Sequence, residues 1–122
     1  MTELVHITDP IRIEAAGTPV KLISEFVGRV ATGDSSVSIA VMESPEGWSE
    51  PGQTPDFDEY SLVLEGELHA ETSEGTTAVT AGQAVHSPAG SWVRYSTPLP
   101  GGARYVSVCV PAFTPDTVHR DA

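Results

Sequence analysis

Eleven glycines and ten prolines fall at short intervals along the 122 residues, and no amphipathic run of helical period between them lasts longer than about two turns. Proline removes a backbone donor and fixes φ, while glycine marks turns and bulges, so this punctuation excludes long helices. It permits about eight to ten short antiparallel strands joined by turns, and the expected class is all-β, a sandwich or jelly-roll barrel.

Strand by strand, Ile11 and Ile13 after Pro10 suggest an edge strand or arm within residues 1–16, and 17–30 (GTPVKLISEFVGRV) favours a strand. In 36–42 (SVSIAVM), Ser36, Ser38 and Ala40 alternate with Val37, Ile39 and Val41, as a strand with one packed face requires. Residues 43–58 contain Pro45, Gly47, Pro51, Gly52 and Pro55 and read as a shaped loop. Tyr60 to Leu64 is predicted as a strand, Gly66 as the centre of a turn, and Leu68 to Glu71 as the returning arm of a hairpin. Further strands are predicted over 76–80, 84–87, 92–97 and 105–110, followed by a tail, 111–122, with one helical turn near Asp116. The predicted organisation is one domain over 1–122, with the barrel spanning 17–110.

Composition limits what such a chain does. Its 39% apolar and 19% charged residues suit a folded domain, and one cysteine, Cys109, excludes an internal disulfide or a cysteine-rich zinc site. Seventeen acidic against six basic residues give a net charge of -11, which repels nucleic-acid phosphates and anionic membrane surfaces. A small organic molecule is the expected partner. The N-terminus MTELVHITDP has neither a basic flank nor an apolar signal core, and the expected location is cytoplasmic.

Two spaced patterns dominate residues 47–97. In the first, Gly47 is followed by Gln53, Pro55, Glu59 and Gly66; in the second, Gly82 is followed by Pro88, Gly90, Val93 and Thr97. Their spacings resemble the two motifs of the cupins, G-x5-H-x-H-x3,4-E-x6-G and G-x5-P-x-G-x2-H-x3-N. The resemblance implies a double-stranded β-helix barrel and a homodimer, here through the segment Leu4 to Ala16. In metal-binding cupins three histidines and a glutamate hold iron, manganese, nickel or zinc. Here Gln53, Pro55 and Val93 stand at the histidine positions and only Glu59 remains, so no tightly bound metal is expected; a weakly held divalent ion is the alternative.

Side chains two apart along a strand share a face. With Glu59 inward, as the resemblance implies, Ser61 follows; with Val93 inward, Tyr95 follows. On the last strand the smaller, more polar face of Ser107 and Cys109 is chosen for the pocket, and His86, two before the motif proline, is placed on its wall. Glu59, His86 and Tyr95 are the candidate catalytic residues. Gln53, Ser61, Trp92, Val93, Ser107 and Cys109 are the candidate ligand contacts. A buried carboxylate without a metal can move protons, which suits an isomerase, lyase or cyclase. The alternatives are a metal-dependent dioxygenase using Glu59, Gln53 and His86, and a non-catalytic metabolite-binding barrel. His119 and Arg120 are expected to be solvated.

Overall fold

A computed structural model describes residues 3–122, so the first two residues of the predicted arm lie outside it. Among the described residues nine strands form: β1 (Ile11–Ile13), β2 (Leu22–Val27), β3 (Ser38–Ser44), β4 (Trp48–Ser49), β5 (Asp58–Thr72), β6 (Gly75–Thr80), β7 (Ala84–Ser87), β8 (Arg94–Thr97) and β9 (Ala103–Val110). All pairings are antiparallel, and the architecture is the all-β jelly roll expected of a cupin. Among the described residues no helix is long and apolar enough to cross a membrane.

Strand β5 joins the two halves of the barrel. Its first part pairs with β7 and β9, continuing through β3 and β2 to β1, and its second part pairs with β6 and β8. The hairpin predicted around Gly66 is therefore absent: the chain runs on as one 15-residue strand, and the break is a register shift between Val63 and Glu65. A bulge bends a strand without reversing it, and Gly66 takes φ 79° beside Gly102, where a Cβ would meet the Gly102 carbonyl oxygen at 2.1 Å. Glycine there reports a close backbone crossing, not a turn.

Three other expectations change. The loop 43–58 contains β4, which pairs with β8. On β3 the face turned inward is Ser38, Ala40 and Ser44, whereas Ile39 and Val41 stay half-buried outside; the small residues are inside because that is where the cavity needs room. The tail has a turn at 115–117 and no helix. It folds back along residues 52–56, with the Asp121 N–H donating to Gly52 O (2.8 Å), Thr54 N–H to His119 O (3.1 Å) and Asp56 N–H to Thr117 O (2.9 Å). Both His119 and Arg120 belong to a strap across the barrel, in which His119 stays exposed as expected while Arg120 is half-buried and lines the cavity.

The main core gathers Trp48, Val63, Leu68, Ala70, Val79, Val93, Tyr95, Ala103 and Tyr105. A smaller cluster of Phe57, Cys109 and Val118, with Phe113 against it, lies under the strap. The space between them is the candidate site.

Candidate active site

The inward faces of five strands bound the cavity, β1 contributing Ile13. Lys21 and Ile23 with Glu25 come from the β2 segment, Ser38, Ala40 and Met42 from β3, Glu59 from β5, and Ser107 and Cys109 from β9. Loop 43–58 adds Glu50, Gln53 and Phe57, and the tail adds Phe113 and Arg120. The enclosed volume is about 60 Å³, room for a handful of non-hydrogen atoms.

Glu59 is held on both oxygens. Ser107 Oγ donates to Oε2 at 2.6 Å and Gln53 Nε2 to Oε1 at 3.4 Å. Register explains the first contact, because Glu59 faces Cys109 and Ser61 faces Ser107 across β5 and β9, making Ser107 a diagonal neighbour. Gln53 is fixed by its own backbone, which exchanges two hydrogen bonds of 2.9 Å with Val93.

Glu59, Gln53, Ser107 and Cys109 therefore converge. Ser61 is buried and inward, but lies deeper than the cavity wall, and Val93 and Tyr95 belong to the main core. Burial, with the Glu59 carboxylate adding to it, pushes the Tyr95 phenol far above its ordinary range; its hydroxyl has no hydrogen-bond partner, although Ser87 lies near. The Cys109 thiol is pushed up by the same two causes, burial first. It is a packing group rather than a thiolate.

His86 is not on the pocket wall. It pairs with Tyr60 across β7 and β5, both facing outward, and the rings stack with centroids 4.3 Å apart. The parity error is one residue: Ser87, not His86, is buried. His86 Nε2 lies 3.2 Å from Asp58 Oδ1, and the Asp58 carboxyl is held below its usual range by the Ala89 N–H first and His86 second. Trp92 is half-buried against Gly52, its Nε1 donating to Asp121 Oδ2 at 2.9 Å, so it fastens the strap.

These placements bear on a metal. Pro55 and Val93 carry no donor, Gln53 offers a neutral amide, and His86 cannot join Glu59 from the opposite face. Among the described residues no three His, Cys, Asp or Glu side chains converge. The donor set does not fit a transition metal.

Sequence reasoning missed Lys21, Glu25, Glu50 and Arg120. Lys21, Ile23 and Glu25 share a face by strand parity, so that signal was legible; Glu50 and Arg120 sit in irregular chain and gave none. Glu50 is 8% exposed, and burial raises its pKa against the opposing pull of Lys21 and Arg120. Lys21, 7% exposed, places Nζ 4.1 Å from the centre of the Trp48 ring.

A family model described as "Ethanolamine utilisation protein EutQ" matches residues 19–114. Among curated proteins, the Endoribonuclease YbeY of Myxococcus xanthus (strain DK1622) is 43% identical over 101 residues, 83% of this chain and 34% of that protein. The chain thus spans about a third of that relative's length. Among solved structures, the EutQ protein of Clostridium difficile is 22% identical with a TM-score of 0.65, covering 78% of this chain and 65% of that one. The polyketide cyclase RemF of Streptomyces resistomycificus is 20% identical with a TM-score of 0.74, covering 100% and 87%. At such identities the structural likeness shows a shared fold.

Proposed function

Because this chain belongs to the EutQ family, whose fold is that of the cupins, we propose that it binds a small organic molecule in the barrel and moves a proton on it with Glu59, without a tightly bound metal. The observation that carries this reading is the Glu59 carboxylate inside the cavity, with Ser107 and Gln53 fixing its two oxygens. A carboxylate so held, beside the apolar walls of Phe57, Ala40 and Met42, is oriented as a general base.

In the step proposed, a Glu59 oxygen takes a proton from the bound molecule, and the electron pair left behind moves into an adjacent double bond. The same carboxyl then returns the proton to the far atom of the shifted double bond, giving isomerisation. For ring closure, the carbanion bonds to a carbonyl carbon of the same molecule and the new alkoxide takes the proton. For elimination, the pair forms a double bond as a β leaving group departs with the proton from Glu59. Ser107 orients the carboxylate, and Gln53 the carboxylate and the ligand. His86 and Tyr95 have no part, the one facing outward and the other lying behind the wall. The net charge of -11 supports a small molecule over RNA as the ligand of this region. A homodimer and a cytoplasmic location belong to the same proposal.

The test is incubation of the protein with a metabolite extract, mass and isomer changes being followed for wild type and Glu59→Gln. The reading expects a product whose kcat falls about a hundredfold or more in the variant, with KM altered far less. Equal turnover by the two proteins removes it.

One observation favours a second reading, a non-catalytic binding barrel. The matching region makes up about a third of a Myxococcus xanthus protein named as an endoribonuclease, the arrangement expected if such a barrel is a ligand-sensing module beside another activity. Ligand that stabilises the fold while no product forms would select it.

A further inference from the structure

Six charged side chains line the cavity, and their partners divide them. Glu14 is exposed at the rim. Glu25 is consumed by the backbone, its Oε2 accepting the N–H groups of Val30 (3.1 Å) and Ala31 (2.8 Å). Glu59 is held by Ser107 and Gln53. Lys21, Glu50 and Arg120 are left.

Lys21 meets only ring faces, Trp48 at 4.1 Å and Tyr105 at 5.9 Å, and forms no ion pair among the described residues. Arg120 sets its guanidinium carbon 6.0 Å from the centre of the Phe113 ring, and its Nη1 is shielded from water with no hydrogen-bond partner. A buried donor without an acceptor is destabilising. Both cations line the same cavity as Glu50, and among the described residues neither lies within ion-pair distance of its carboxyl. The unfilled capacity there is for an acceptor oxygen.

We propose that Lys21 and Arg120 form an anchor for the carboxylate of a small organic acid, the guanidinium giving the directed hydrogen bonds and the ammonium the point charge. The cavity, about 60 Å³, suits an acid of a few carbon atoms. This deepens the reading above and rests on it, because the anchor presents the acid to Glu59 across the same cavity. The strap makes the anchor: a backbone bridge between Gln53 and Arg120 carries the guanidinium in, and that bridge does not depend on the Arg120 side chain.

The test titrates the full chain with propionate, pyruvate and isobutyrate, using propionamide as an uncharged isostere and inorganic phosphate as a control. Calorimetry and the shift in Tm are the readouts. Wild type is expected to bind at least one of the acids about tenfold or more tighter than propionamide, and Arg120→Gln and Lys21→Met each to lose about tenfold of that affinity. Circular dichroism and the ligand-free Tm check that both variants fold. Glu59→Gln is expected to keep the acid while losing turnover, which separates the anchor from the proton-transfer reading. The anchor is overturned by equal binding of acid and amide, by unchanged affinity in both cation variants, by phosphate binding tighter than every acid, or by no stabilisation from any acid at millimolar concentration.

Discussion

At the scale of single residues, two buried acids are both shifted toward their protonated forms by burial. Glu50 sits where burial raises its pKa above the ordinary 4.5. A carboxyl whose folded pKa lies above its unfolded value gives its full stability below the unfolded value and loses it as pH rises through the folded one. Glu50→Gln is therefore expected to raise Tm by a few degrees at pH 7, of the order of 1 kcal/mol, and to lose that gain as pH falls toward 4.5; thermal melts across this range check it. Cys109 is a parallel case, a thiol kept protonated by burial first and by the neighbouring Glu59 second. Native protein at pH 8 is expected to resist iodoacetamide for hours, while protein in guanidinium reacts in minutes; rapid labelling of the native fold would show an accessible thiolate. Glu59 was legible from its spacing in the first motif and Ser107 from strand parity. Arg120 was not, because no periodicity runs through the tail and the strap that brings it inward is made of backbone hydrogen bonds.

At the scale of elements, β5 and the strap position the site. β5 crosses between the two halves at Gly66, where positive φ and the nearby Gly102 carbonyl leave no space for a Cβ. Gly66→Ala is expected to cost about 3 kcal/mol or more, read as a fall in the denaturation midpoint, with Gly82→Ala, which has open space at a similar φ, costing less. Trp92 fixes the strap through Asp121 and by packing on Gly52. Trp92→Ala is expected to free residues 117–122 to carboxypeptidase while β5 stays protected from amide exchange; an equally resistant tail would mean that the backbone pairing holds the strap alone. Most strands were legible from alternation and turn residues. The Gly66 hairpin was not, because glycine marks a bulge as readily as a turn and only the pairing of both halves of β5 with different partners distinguishes them.

At the scale of the whole molecule, the barrel is half plugged by the core around Trp48 and Tyr105 and open in a cavity beneath the strap. Its outer sheet leaves Tyr60, Leu62, Leu64 and Val110 each about 40% exposed, a second face for the proposed dimer beside the predicted contact through Leu4 to Ala16. Light scattering at micromolar concentration is expected to give the mass of a dimer, and Leu62→Glu a smaller one; a monomer in wild type would contradict the proposed assembly. The cupin barrel was legible from five spaced glycine and proline positions because the barrel's turns and close crossings constrain them, whereas the cavity is lined by side chains brought together from distant segments. Proton transfer by Glu59 is tested most directly in D2O, by following deuterium uptake into small organic acids by mass spectrometry. The account predicts that wild type labels one such acid at carbon and that Glu59→Gln does so about a hundredfold more slowly. Labelling at the same rate by both proteins would contradict it.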